Sequence, residues 1–265
     1  MIFRLTPTKL AAASLLVAST VTLGSCETFE QFLSPPNKVD IRGERVPVLP
    51  TARMVAVDPK LAGEAVVLPK PVINPEWPQP GGYADNVMHH LSAAGGLDDA
   101  WSTRVGAGSS SDSRLTASPV VAAGKVFVLD SEVEVSAYDA KSGDRIWSID
   151  LTPEDEDSED GFGGGVAYEG GKVFVSTGFG FVVALDANTG KEVWRRSTTV
   201  PFRAAPVVNG GRVFVTTQEN QLFALAEDDG RVLWDHRGIA ESAGILGSNS
   251  VAVSGDLVVV PYTSG

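Results

Sequence analysis

The chain has 265 residues, 43% of them hydrophobic and 20% charged, with a formal net charge of −12. So acidic a balance argues against a partner held through its phosphate backbone, because nucleic-acid binders concentrate Lys and Arg on one surface. The sole cysteine, Cys26, excludes an internal disulfide framework.

The first element in chain order is a leader. Arg4 and Lys9 precede an apolar run from Leu10 to Leu23, which ends in Leu23-Gly24-Ser25-Cys26. A basic start, a short apolar stretch and small residues before a cleavage point predict a signal peptide over residues 1–25, too short to span a bilayer as a helix. Leu-Gly-Ser-Cys resembles a bacterial lipobox, which implies that Cys26 becomes the lipidated first residue of the mature chain. A buried structural cysteine is the other reading, and it fits poorly beside a leader in low-complexity sequence. Acyl chains contribute about 0.8 kcal/mol per buried methylene, enough for lasting attachment. Glu27 follows where an Asp often retains lipoproteins in the inner membrane, so the expected location is the periplasmic face of the outer membrane.

Residues 26–98 hold ten of the sixteen prolines and show no sustained period of either strand or helix. That predicts an extended tether, with Val46 to Val48 and Ala65 to Leu68 placed to lie on the folded domain. Near its end, Trp77-Pro78-Gln79-Pro80-Gly81-Gly82 sets a Trp between prolines, the mark of a docked segment. His89 and His90 are adjacent, so their side chains diverge whether the segment is strand or helix. With no third ligand in view, no metal site is expected there.

The folded domain is expected over residues 99–265. Trp101, in Ala100-Trp101-Ser102-Thr103-Arg104-Val105, reads as an outer strand without a blade of its own, the kind of N-terminal strand that closes a ring and removes a sheet edge. Three repeats follow. Gly, a basic residue and Val-Phe-Val begin each at Gly124, Gly171 and Gly211, and a Trp stands 23 positions later at Trp147, Trp194 and Trp234. The Trp-to-Trp intervals are 47 and 40, so length varies only in the joints, as it does for modules joined by surface loops. Short blocks of Val, Phe and Ala punctuated by Gly, Asn and Asp are strand language. In the second repeat they predict strands near Gly165 to Tyr168, Lys172 to Thr177, Phe181 to Leu185 and Glu192 to Ser197. Four strands in about 40 residues make one propeller blade.

The turn before each Trp reads Asp139-Ala140-Lys141-Ser142-Gly143, Asp186-Ala187-Asn188-Thr189-Gly190 and Ala226-Glu227-Asp228-Asp229-Gly230, with Gly at a position suited to left-handed backbone. A Trp at a fixed place in every repeat is expected to cover the seam with the neighbouring blade while its indole N–H finds a carbonyl; stacking on a ligand is the other use of such a ring. The first joint is longer because it carries Glu154-Asp155-Glu156-Asp157-Ser158-Glu159-Asp160, either a solvated loop insertion or a contact for a basic partner or loosely held calcium. A fourth repeat begins at Gly255-Asp256-Leu257-Val258-Val259, and its Trp would fall beyond Gly265. The expectation is an all-β propeller of about three complete four-stranded blades and the start of a fourth, as a piece of a longer ring.

Gly-Lys-Val-Phe-Val followed by Phe181-Val182-Val183-Ala184-Leu185-Asp186-Ala187-Asn188-Thr189-Gly190-Lys191-Glu192-Val193-Trp194 closely resembles the PQQ-like propeller repeat, over roughly residues 100 to 265. WD40 is excluded because only Trp234 is followed by Asp, and kelch because the intervals differ. Enzymes that resemble this repeat hold a quinone on the propeller axis between a Trp and a vicinal disulfide, with Ca²⁺ held by acidic and amide side chains and an Asp as base. This chain has no cysteine pair. His236 stands alone behind Trp234-Asp235, and Asp186 belongs to the turn signature, so no catalytic, cofactor or metal residues are assigned.

The lipobox, the Pro-rich tether and the propeller together resemble the BamB lipoproteins of outer-membrane assembly. That resemblance implies a non-catalytic scaffold that binds BamA and other components of the BAM complex and assists unfolded outer-membrane proteins. In that family a Leu and Arg motif in a loop contacts BamA. The nearest match is Pro201-Phe202-Arg203-Ala204-Ala205-Pro206, which implies Phe202 and Arg203 as partner contacts; pairing of Arg203 with a carboxylate of a neighbouring blade is the other reading. The alternative function is a periplasmic PQQ-dependent dehydrogenase-like enzyme with its active-site blades outside this sequence.

Overall fold

The structure, a computed structural model, describes residues 58–263 apart from 62, 94, 96, 97, 203 and 240–249. The leader, Cys26, Val46 to Val48 and Arg203 therefore lie outside the described residues. Contacts divide the chain into two compact units, Met1–Ala65 and Val66–Gly265. In the first, the described residues form a turn in which Leu61 N–H donates to Asp58 O and Glu64 N–H to Leu61 O.

The second unit is built from four antiparallel sheets whose strands follow one another in sequence. Blade 1 comprises β1 (Val120–Ala122), β2 (Lys125–Leu129), β3 (Glu134–Asp139) and β4 (Arg145–Asp150). Blade 2 comprises β5 (Gly164–Glu169), β6 (Lys172–Thr177), β7 (Phe181–Asp186) and β8 (Glu192–Ser197). Blade 3 comprises β9 (Val207–Asn209), β10 (Arg212–Thr216), β11 (Gln221–Ala226) and β12 (Val232–Arg237). Two strands of a fourth blade follow, β13 (Ala252–Ser254) and β14 (Leu257–Val259). The three four-stranded blades and the start of a fourth match the architecture expected from the repeat, and the strands of blade 2 fall within a residue of their predicted bounds.

The Val-Phe-Val run is apolar without alternation because both faces of a blade are buried between its neighbours. On β6, Val173 and Val175 pack with blade 1 residues Phe127 and Val135, while Phe174, between them, faces Val208 and Val213 of blade 3. The two-residue strand period is intact; only its polar half is missing. Within each blade one row reads Phe, Ala, Trp across three strands: Phe127↔Ala137↔Trp147, Phe174↔Ala184↔Trp194 and Phe214↔Ala224↔Trp234. The small middle residue lets the two rings meet over it, at centroid separations of 6.1, 6.0 and 5.9 Å. Immediately after that Ala the ladder slips by one residue in all three blades. The bulged residues Ile146, Val193 and Leu233 are turned outward and exposed.

One alignment read from the sequence is corrected. The β13–β14 hairpin pairs Val253 with Val258 and Ser254 with Leu257, so Gly255 takes the first loop position, that of Ala123, Gly170 and Gly210. The residue equivalent to Gly124, Gly171 and Gly211 is Asp256, and Leu257 replaces the basic residue. A two-residue hairpin sets register by pairing, and a letter match on Gly alone is off by one.

Candidate functional site

The inner strand of each blade has one edge paired to its neighbour and one edge free to face the axis. In this chain a short strap, residues 76–86, covers those free edges in all four blades. On blade 1, Trp77 makes an antiparallel bridge with Val121, N–H to O at 2.6 Å and O to N–H at 2.8 Å, and Glu76 Oε1 accepts from Ala123 N–H. On blade 2, Pro78 O accepts from Tyr168 N–H at 2.7 Å. On blade 3 a side chain takes over: Gln79 Nε2 donates to Val208 O at 2.8 Å and Gln79 Oε1 accepts from Val208 N–H at 3.3 Å. On blade 4, Ala84 O accepts from Val253 N–H at 2.6 Å, and Asn86 Nδ2 reaches Val251 O.

The Gln79 amide has the donor and acceptor of a peptide group, so it completes the Val208 bridge as another strand would. It is buried, 3% exposed, and both of its polar ends are satisfied. The strap turns after it through Pro80-Gly81-Gly82, where Gly82 adopts φ of 87°. The Trp-Pro-Gln-Pro run announces a docked segment in the sequence; that its Gln is the central contact has no sequence signal beyond its place between two prolines.

A second device ties the blades edge to edge. Trp147 Nε1 donates to Ala187 O of blade 2, and Trp194 Nε1 donates to Glu227 O of blade 3. Each ring lies over the turn glycine of the next blade: a Cβ on Gly190 would stand 2.8 Å from Trp147, and one on Gly230 would stand 2.5 Å from Trp194. Those glycines therefore serve the ring as well as the left-handed turn at φ of 70° and 69°. Trp101 does the same to blade 1, donating to Ala140 O and covering Gly143, although residues 99–105 form no strand. The basic residue of the repeat also reaches across: Lys125 Nζ bonds Asn188 Oδ1, and Lys172 Nζ pairs with Glu227 Oε1 at 3.0 Å.

The turn aspartates carry the clearest electrostatic signature. Asp139 Oδ1 accepts from the N–H groups of Lys141 and Ser142, and Asp186 Oδ1 accepts from Asn188 and Thr189 N–H and from the Thr189 hydroxyl. These bonds favour the carboxylate; those to the Ser142 backbone for Asp139 and to the Thr189 side chain for Asp186 are foremost in holding both groups below the usual carboxylate range. Burial, with Glu227 nearby, raises Glu169 instead. The signs oppose. A lowered carboxyl contributes stability above its unfolded value that is lost as the pH falls through the folded value, whereas Glu169 binds its proton more readily folded and opposes that loss. Chemical denaturation from about pH 7 to below about pH 4 is expected to show stability falling, with a shallower fall in the Asp139→Asn, Asp186→Asn double variant. Blade 3, where Ala226 stands in place of the Asp, has no counterpart of these side-chain bonds.

Several residues singled out by sequence take other roles. Phe202 is 1% exposed, packed in the core between blades 2 and 3, with its N–H given to Thr177 O. It is thus a packing residue, and the expectation that its side chain meets a partner is corrected. His89 is exposed, and the His90 ring bonds Pro69 O. Among the described residues no group of three or more His, Cys, Asp or Glu is placed to hold a metal ion. The acidic run is largely exposed and ends in a short 3₁₀ turn, Ser158–Gly161, capped by Asp157. Val66, Val67 and Leu68 are exposed, so the expectation that they lie on the folded domain is corrected. No helix among the described residues is long and apolar enough to cross a membrane.

The model of the family described as outer membrane protein assembly factor BamB matches residues 79–158 and 131–265, together more than half of the chain. An uncharacterised protein of Rickettsia prowazekii is 31% identical over 154 residues, 58% of this chain and 37% of its own length. The quinohemoprotein alcohol dehydrogenase of Comamonas testosteroni is 37% identical over 137 residues, 47% of this chain and 18% of its own length. The solved structure of a europium-containing methanol dehydrogenase superposes with a TM-score of 0.51 at 24% identity, over 62% of this chain and 32% of that one; this likeness is one of fold. The chain spans well under half the length of these relatives.

Proposed function

Because the chain belongs to the PQQ-like repeat family described as outer membrane protein assembly factor BamB, a repeat it shares with quinone-dependent dehydrogenases, we propose that it is a non-catalytic scaffold lipoprotein of outer-membrane β-barrel assembly. In this reading Cys26 carries the lipid, the propeller stands on the periplasmic face, and its surface binds BamA and assists unfolded outer-membrane proteins. The observation that carries it is the strap. The axial edges of four inner strands are taken by the chain's own residues 76–86, along the line where the enzymes that this repeat resembles hold their quinone. While the strap is seated, loops and outer strands, on a rigid frame, are the surface for contact.

The experiment is recovery of the tagged, lipidated protein from detergent-solubilised membranes. Co-purification of BamA in stoichiometric amount is expected, and Cys26→Ser is expected to move the protein from the membrane to the soluble periplasmic fraction. Recovery without BamA rejects the assembly role while leaving the lipid anchor standing or falling on the Cys26 result. The second reading, a periplasmic dehydrogenase-like enzyme, is favoured by the 37% identity to the Comamonas testosteroni alcohol dehydrogenase. Saturable quenching of tryptophan fluorescence by PQQ with Ca²⁺, together with dye-linked alcohol oxidation, would carry that reading instead.

A further inference from the structure

The strap is bound as a ligand is bound. It meets the blades through four edge contacts spread over Val121, Tyr168, Val208 and Val253, and every one uses backbone groups of the inner strands. Such contacts read a polypeptide that crosses the edges one residue at a time, through its main chain at three of the four. The selective element is at Val208, where a primary amide side chain supplies both donor and acceptor. Around it the strap rests on the surface: Glu76, Tyr83, Asn86 and Val87 are exposed, and of residues 76–86 only Gln79 and Gly82 are buried. Unfilled space borders it at two places. One cavity of about 470 Å³ borders Pro80, Gly81, Ser118 and Ser250, and another of about 390 Å³ borders Tyr83, Ala84 and Asn209.

We propose that the free edges of the inner strands form a binding site for one polypeptide segment, extended from an aromatic residue to a glutamine two positions on and turning back after it, and that residues 76–86 are its resident occupant. An unfolded chain of that chemistry enters by displacing the strap, so the strap sets a threshold for binding at the axis. This inference stands apart from the identity of the assembly partner, since it concerns which segment the inner edges accept.

The test uses the full chain and a fluorescein-labelled peptide with the sequence of residues 74–88. Fluorescence anisotropy is expected to show saturable binding to the Trp77→Ala, Gln79→Ala variant at least about tenfold tighter than to the unaltered chain, where the site is filled. The same peptide with its Gln changed to Ala loses two hydrogen bonds to Val208 and is expected to bind about tenfold more weakly. Equal binding to both chains, or equal binding of both peptides, overturns the proposal. Should the variant not fold, amide exchange in the unaltered chain decides. The N–H groups of Val121, Tyr168, Val208 and Val253 are then expected to exchange through one shared opening, faster than β3, β7 and β11 of their blades. Four separate rates, each following its own blade, overturn it equally.

Discussion

Trp194→Ala is expected to destabilise the chain by about 3–5 kcal/mol, the range for removing a large buried aromatic side chain. Trp234→Ala, although it sits at the equivalent position of its repeat, is expected to cost about 1–2 kcal/mol. The reason is what lies over each ring. Trp194 is 8% exposed, covered by Gly230 and bonded to Glu227 O at 2.8 Å, whereas Trp234 is 39% exposed. Trp194→Phe keeps most of the packing and loses the indole bond, so it is expected to cost only about 1 kcal/mol beyond the ring's lost area. Urea denaturation of the three variants checks the order; equal losses at Trp194 and Trp234 would refute the view that the neighbouring blade's turn makes the difference.

Gly230→Ala is expected to be the most damaging of the small substitutions, at about 3 kcal/mol or more. A methyl group there meets two penalties together: a left-handed backbone at φ of 69°, and the Trp194 ring 2.5 Å from the new Cβ. Gly171→Ala separates the two. Its φ of 83° is as left-handed, yet nothing lies within 4 Å of a Cβ, so only the backbone strain of about 1–2 kcal/mol applies. Denaturation midpoints of the two variants, measured together, are the check. A Gly171→Ala loss as large as that of Gly230→Ala would assign the repeated spacing to turn geometry alone and remove the ring from the explanation.

Most of the blade architecture is legible because each of its causes is local. The unbroken Val173-Phe174-Val175 run signals a strand buried on both faces, and the two-residue hairpin loops and the Asp-Ala-x-x-Gly turns follow from short-range hydrogen bonds. The register at Gly255 is not legible to a letter match, which cannot see that Ser254 pairs with Leu257. The burial of Phe202 is illegible for a related reason: its loop sequence looks like a surface motif, but Val208 and Val213 of its core cluster come from the following blade, and burial by another module has no period to betray it.

By itself the sequence determined the class, the repeat and its number of strands, since short apolar blocks, turn chemistry and the 23-residue interval are properties of a chain read one segment at a time. Only the tertiary structure decided what the repeated residues touch and where the tether ends. Gly143, Gly190 and Gly230 lie under the Trp rings of a neighbouring module, and Gln79 finds Val208 across 129 positions. Contacts of that span are selected by which free edges and which ring faces the packed blades leave open. A free edge exists only once the blades are assembled, so the Trp-Pro-Gln-Pro run marks a docked segment without telling which edges it covers.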